Sequence, residues 1–277
     1  MDPVQKALWY VESHSRDPIT LEDIASACKI SPFHLTRLFA ATRGLSLMRY
    51  VRARRLCEAA RQLARGAEDI LSVALEAGYS SHEAFTRAFR DQFSLTPEQV
   101  RAQGHLDNLK LVEPVAMNTT PVPDLAPPRF ESHDPMRVAG LVDRYNCEST
   151  AGISGQWQRL GPYFGMIPKQ VGKFAYGVCF NFDNEANFDY LCGVEVASDA
   201  DLPKGLTSVS VPRQKYAVFT HVGHVAGVRA TLSAIWNKGL PESGCQPTNG
   251  PNLERYGPEF NPMTGLGGFE IWVPIQE

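Results

Sequence analysis

The stretch that decides the fold is LSVALEAGYSSHEAFTRAFRDQFSLTPEQV, residues 71–100. It reads as two short helices around a tight turn at Gly78. Ala74, Leu75 and Ala77 pack the first helix. Gly78 ends it, because glycine takes the left-handed conformation that a helix C-terminus often needs. Ser80 or Ser81 caps the next helix, whose core face is Phe85 and Phe89, four residues apart. His82, Glu83 and Arg87 are left on another face, free for a partner. This is helix-turn-helix grammar, in which the second helix enters a DNA major groove.

The same grammar stands earlier in the chain. LEDIASAC (21–28) is a short helix, Lys29 and Ile30 form the turn, and Ser31-Pro32 supplies an N-cap followed by a first-turn proline. Leu35, Leu38 and Phe39 then share the buried side, with Phe33, Thr36 and Arg37 on the opposite one. The two expected recognition helices begin about fifty residues apart. Between them, residues 46–64 read as a long helix with Tyr50, Leu56, Ala60 and Leu63 inward and arginines at 49, 52, 54, 55 and 61 over the rest. An amphipathic helix over residues 3–14, with Val4, Ala7, Leu8 and Val11 in one stripe and Trp9 and Tyr10 packed nearby, closes this helical core.

From LEDIASAC to LTPEQVR the chain resembles the AraC/XylS DNA-binding domain. The matching pieces are ISPFHLTRLF, the RARRL segment of the linking helix, AGYSSHEAFTRAFR and the closing FSLTPEQVR. Many separated matches in the right order make this far more specific than one generic helix-turn-helix. In such domains the two recognition helices enter successive major grooves, about 34 Å apart. Carried over by position, the resemblance implies base-facing roles for Phe33, Thr36, Arg37, His82, Glu83, Ala84 and Arg87. It implies phosphate contacts for Ser31, Arg43, Arg49 and Arg52. The chemistry suits these roles, since arginine pairs with guanine, glutamate accepts from cytosine, and Phe or Ala meets a thymine methyl. The plain alternatives are core packing for Phe33 and simple solvent exposure for His82 and Glu83.

Composition sets the frame. The chain has 277 residues, 43% hydrophobic and 21% charged, enough for two cores. The net charge of −3 argues weakly against DNA, but the charge is uneven. Residues 1–105 hold 14 Lys/Arg against 12 Asp/Glu, and the rest 13 against 18. Between Arg37 and Arg65 stand eight arginines and one acid, Glu58. A concentrated basic face matters more for phosphate binding than total charge; the bland reading is a solvated helix surface. No run of about twenty apolar residues predicts a membrane span, and the N-terminus lacks a signal-peptide pattern. Cysteines 28, 57, 147, 179, 192 and 245 are scattered without C-x-x-C, and read as reduced thiols in a cytoplasmic protein.

The character changes near residue 106. NTTPVPDLAPP (118–128) reads as a linker, so the expected domains are 1–106, a linker at 107–129, and 130–277. Strand-like runs then alternate with helices: RVAGLVD (137–143), a helix over 153–164 with Trp157, Leu160 and Phe164 inward, then FAYGVCFNF (174–182) and FDYLCGVEV (188–196) around an Asp183-Asn184 turn. A second round follows, with KYAVFTHV (215–222), a helix over 225–236, and strands at 253–256 and 268–275. The order βαββ, βαββ suggests an internal duplication.

KYAVFTHVGHVAG, W-x-x-x-L-P-x-S-G, LERYGPEFN and the closing FEIWVPI are similar to the GyrI-like small-molecule-binding domain over residues 130–277. The expected fold is therefore multidomain: an all-α double helix-turn-helix domain followed by an α+β, duplicated βαββ (GyrI-like) domain. Most AraC/XylS proteins have the reverse order. In GyrI-like sensors a groove is lined by aromatics and glutamates. The resemblance points to Glu254 and Glu270, with Trp157, Tyr163, Tyr190, Tyr256 and Trp272 as walls and Glu195 as a weaker candidate. A carboxylate between apolar walls is poorly solvated, and aromatic faces attract a cation. Lipophilic cations are thus the natural effector class, with neutral and amphipathic ligands left open. The plain alternative is a solvent-facing glutamate and core aromatics.

Other chemistry finds little support. His221-x-x-His224 lacks a third ligand at a familiar metal spacing. Gly265-Leu266-Gly267-Gly268 precedes a strand rather than opening a helix, so it reads as a turn. The expectation is a non-enzymatic transcription regulator without cofactor. Its partners would be double-stranded promoter DNA, a small-molecule effector and, by resemblance, RNA polymerase, which it would contact as an activator. It would work as a monomer or homodimer. One alternative is a hydrolase using Glu254 or Glu270 as general base; another is a DNA-architecture protein whose second domain binds a partner protein.

Overall fold

The computed structural model describes residues 3–14, 17–112, 125–147, 150, 152–197, 202–262 and 264–276. The expected linker at 107–129 falls largely on 113–124, outside the described residues. The chain forms two compact units, Met1–Pro32 with Leu47–Asn118, and Phe33–Ser46 with Thr119–Glu277.

The first unit is helical: α1 (Pro3–Ser13), α2 (Leu21–Cys28), α4 (Leu47–Ala64), α5 (Ile70–Glu76), α6 (His82–Phe93) and α7 (Pro97–Gln103). Local chemistry explains most of the boundaries. Thr20 and Asp23 form a reciprocal capping box on α2, and Thr96 and Gln99 another on α7. Ser81, of the two candidate serines, caps α6 by accepting from the Ala84 amide at 3.2 Å. Gly78 takes φ +85° just beyond α5, as a left-handed helix end requires. Phe85, Phe89 and Phe93 of α6 pack with Ala74 of α5 and Leu63 of α4.

Three expectations need correction here. Leu75 is 57% exposed and does not pack α5, whose buried residues are Ile70, Val73 and Ala74. Trp9 is 55% exposed, on the far side of α1 from the buried Val4, Ala7, Leu8 and Val11. Arg54 is no surface cation. It donates to both Glu12 oxygens, at 2.9 and 2.8 Å, and to the Val112 carbonyl at 2.8 Å, while Tyr50 donates to Glu12 at 2.6 Å.

The second unit holds α3 (Pro32–Arg43, from Phe33 onward) and an eight-stranded, wholly antiparallel sheet among the described residues. Its strands are β1 (Arg129–His133), β2 (Met136–Asn146), β3 (Gln170–Phe180), β4 (Asn187–Val196), β5 (Thr207–Val211), β6 (Gln214–His221), β7 (Asn252–Tyr256) and β8 (Phe269–Ile275). They lie in the order β1-β6-β8-β7-β3-β4-β2-β5. Six of them match the sequence expectation. The edge strands β1 and β5 lie outside that expectation, because RFESH and TSVSV are each five residues long and mostly polar.

The helix after β2 is shorter than expected. α8 (Gly152–Leu160) passes into a 3-10 turn over Gly161–Tyr163, and Phe164 is 43% exposed rather than inward. Pro162 lacks the amide an α-helix would use there. The last helical segment is also broken into pieces: α9 (Val228–Ala234), a π turn over Ile235–Gly239, and α10 (Leu240–Ser243).

Candidate functional site

Strand parity sorts the predicted ligand residues. Successive side chains of a strand point to opposite faces, and residues paired across a ladder share a face. Glu254 pairs with Gly177 on one side and Ile271 on the other, and Gly177 pairs in turn with Cys192. Tyr190, two positions before Cys192, and Tyr256, two after Glu254, therefore share Glu254's face. Glu270 pairs with Arg255 and Trp272 with Leu253, so both lie on the other face. Glu195 joins them there, opposite Val138.

On the first face the side chains converge. Tyr190 donates to Glu254 Oε2 at 2.6 Å and Tyr256 to the same oxygen at 2.9 Å. The Trp157 indole N–H of α8 donates to the Tyr190 hydroxyl at 3.1 Å, and its ring meets Tyr256 edge-on at 5.1 Å. Tyr163 packs against the apolar cluster that contains Tyr190. Gly177 makes this approach feasible: a Cβ there would lie 2.2 Å from the Tyr190 hydroxyl and 2.6 Å from Glu254 Oε2. Burial raises the Glu254 pKa; hydrogen bonds from Tyr190 and Tyr256, and the charges of His221 and Arg37, pull it back. Burial, together with the Glu254 charge, pushes both tyrosines well above their usual range.

The structure does not bring Glu270 or Trp272 into this cluster. Glu270 accepts from Arg129 at 2.6 Å, from the Trp272 indole at 2.8 Å and from Arg255 at 3.5 Å. Its charge is already answered by two arginines.

Sequence reasoning missed Gln156, which is fully buried and donates from Nε2 to the carbonyls of Leu141 and Tyr190, both at 2.9 Å. It bolts α8 to two strands beside Trp157. It also missed Phe260 and Phe269, whose rings lie 4.7 and 4.6 Å from Tyr256. The aromatic letters were visible, but nothing local ties them to Glu254. The His221-x-x-His224 pair organises a loop: His221 meets Thr231 Oγ1 at 2.8 Å and the His224 carbonyl at 3.1 Å, and His224 Nδ1 accepts from the Ala226 amide. All six cysteines are free.

The residues expected to meet DNA divide between the units. On α6, Glu83 and Arg87 are exposed, Ala84 is half-buried, and His82 reaches Glu98 at 3.1 Å. This face is opposite the phenylalanine spine. Ser31, Arg49 and Arg52 are exposed, and Arg43 is half-buried. On α3, Thr36 is buried and Phe33 and Arg37 are half-buried. These three line one wall of a cavity of about 80 Å³ whose other wall includes Cys147, Phe182, Asp183 and Asn249.

Comparison with known proteins places this geometry. Residues 126–276 match the GyrI-like small molecule binding domain, and residues 24–103 match a helix-turn-helix domain. The transcriptional regulator Rob of Salmonella typhimurium is 26% identical over 272 residues, 95% of this chain and 92% of its own. The right origin-binding protein of Escherichia coli K12 is 26% identical over 289 residues, 99% of this chain and 98% of its own. The transcriptional regulator BrlR of Pseudomonas aeruginosa is 33% identical over 125 residues, 44% of this chain and 46% of its own. With its matched region spanning more than half of the sequence, the chain belongs to the GyrI-like small-molecule-binding family, carrying an AraC-type helix-turn-helix region ahead of that domain in the Rob-like arrangement.

Proposed function

We propose that the protein is a transcription regulator that reads promoter DNA through two helix-turn-helix motifs and senses a small molecule in its GyrI-like domain. The observation that carries the sensing half is Glu254, a carboxylate with raised pKa held by two tyrosine hydroxyls, one of which accepts from the Trp157 indole. A desolvated carboxylate among aromatic faces favours a ligand that brings positive charge and apolar surface. The effector class is therefore lipophilic cations, taken by Glu254, Trp157, Tyr163, Tyr190 and Tyr256. Glu270 and Trp272, committed to Arg129 and Arg255 on the other face, drop out of that set.

The DNA half rests on α6, whose exposed Glu83 and Arg87 stand opposite a buried phenylalanine face. The protein acts as an activator in the cytoplasm through contact with RNA polymerase, as a monomer or homodimer, and without catalysis. The strand order supports the duplicated βαββ plan: outward from the β7–β3 pair, each side runs through the two strands after its helix and then to the strand before it.

Two measurements test this reading. Calorimetry of the full chain against a panel of hydrophobic quaternary ammonium ions should detect binding that Glu254→Gln abolishes and Glu270→Gln leaves in place. Binding lost equally in both variants would move the site. For DNA, duplexes enriched by the full chain from a random pool supply the probe. Arg87→Ala should weaken binding by ~1–3 kcal/mol and relax specificity at one position. A uniform loss over all sequences would make Arg87 a phosphate contact.

A further inference from the structure

The residues that α3 would offer to a major groove are engaged by aromatic side chains of the β3–β4 connection and the π turn of the same unit. The Arg37 guanidinium carbon lies 3.8 Å from the Phe182 ring centroid and 5.5 Å from that of Trp236. Phe33 meets the same two rings edge-on, at 6.2 and 6.4 Å. His34 lies 5.3 Å from Trp236. Further along the helix, Asn237 Nδ2 donates to Thr42 Oγ1 at 2.9 Å. Trp236 and Asn237 both sit in the π turn, the kind of helix irregularity that recurs at functional sites.

We propose that Phe182 and Trp236, with Asn237, form an internal clamp on α3 that withholds Arg37 from DNA, so that the first helix-turn-helix reads its site only when α3 leaves these rings. The clamp is poised rather than locked. A cation on an aromatic face is attracted strongly when desolvated. Yet Arg37 Nη1 is buried with no hydrogen-bond partner among the described residues, a stranded donor that weakens the clamped state. On a guanine, a guanidinium would regain two hydrogen bonds. The same side chain thus has two competing partners, the condition for a two-state switch.

The clamp also shares its wall with the Glu254 cluster. Phe182 stacks on Phe188 at 5.5 Å, Phe188 lies 6.2 Å from Tyr145, and Tyr145 lies 6.3 Å from Tyr190, which donates to Glu254. The inference rests on the reading of Arg37 as a base-facing residue, and the test separates the two.

Affinity of the full chain for a fluorophore-labelled duplex, enriched from a random pool by the same chain, is measured by anisotropy at one fixed salt concentration. Phe182→Leu should tighten binding by about three- to thirty-fold. Asn237→Ala, a smaller change outside the aromatic packing, should tighten it by about two- to ten-fold. Arg37→Ala should weaken binding and cancel the gain from Phe182→Leu in the double variant. Unchanged or weaker binding in both clamp variants, with thermal midpoints like the parent's, overturns the clamp while a loss in Arg37→Ala keeps the base-reading role. Parent-like binding by Arg37→Ala overturns both. Should Phe182→Leu fail to fold, Asn237→Ala alone, and its double variant with Arg37→Ala, decide.

Discussion

Glu254 is a carboxylate that the fold holds at some expense. Its pKa is raised by burial, with Tyr190, Tyr256, His221 and Arg37 only partly offsetting that effect. A folded-state value above the ordinary one means that the native state binds this proton more tightly than the unfolded chain does. Any stability linked to it is therefore present at low pH and is lost as pH rises from the ordinary value of 4.5 through the raised one. Glu254→Gln removes the ionisation while keeping an acceptor for the tyrosine hydroxyls. The variant should melt above the parent at pH 8, by about 2–4 °C for each kcal/mol in a chain of this size. The gap should close as pH falls toward 4.5. Thermal unfolding from pH 4 to 8 checks this, and a gap that widens toward low pH would show that Glu254 is stabilised as a charge. A bound cation should act in the same direction as the substitution, since it supplies the charge that the site lacks.

At the scale of elements, the sheet decides which residues meet, and one glycine in it carries the site. β3 crosses between β4 and β7 at Gly177, the point where Tyr190 and Glu254 approach each other over the backbone. Gly177→Ala places a methyl 2.2 Å from the Tyr190 hydroxyl. Overpacking of this kind typically costs about 1–3 kcal/mol. The variant should lose stability by that amount in chemical denaturation and should lose cation binding in calorimetry. A tolerated alanine with parent-like binding would mean that Tyr190 and Glu254 need not touch. The same strand shows what sequence could and could not disclose. α6 was legible because its signals are local: a capping serine at 80 or 81, the Phe85–Phe89 spacing and Gly78 before it all lie within about a dozen residues. The separation of Glu254 from Glu270 was not. Both are single glutamates in apolar strands, and only the β7–β8 register assigns them to opposite faces. Edge strand β1 was hidden because its partner β6 lies far along the chain and its own residues are mostly exposed. The contact of Arg37 with Phe182 was hidden for the same reason of distance in sequence. Arg37 reads as a DNA contact because its neighbours spell a helix-turn-helix, and no local pattern reports a second partner.

For the molecule as a whole, effector and DNA become linked only if they prefer different states of α3. Such linkage is reciprocal: a cation that changes DNA affinity by some factor must have its own affinity changed by DNA by the same factor. The clamp fixes the expected sign. A cation drawn to Glu254 perturbs Tyr190, which shares a wall of rings with Phe182, and it competes with Arg37 for the field of the same carboxylate. Both effects favour release of α3, so DNA and cation should bind more tightly together than apart. Couplings of this kind usually amount to about 5- to 150-fold. Titrating a hydrophobic quaternary ammonium ion into the full chain, with and without a saturating enriched duplex, gives one side of the cycle; titrating the duplex with and without the ion gives the other. The two factors should agree, exceed one, and fall toward one in Phe182→Leu, where the clamp has lost its nearest ring to Arg37. A coupling that survives undiminished in Phe182→Leu would mean that the signal from Glu254 reaches DNA by a route that bypasses α3.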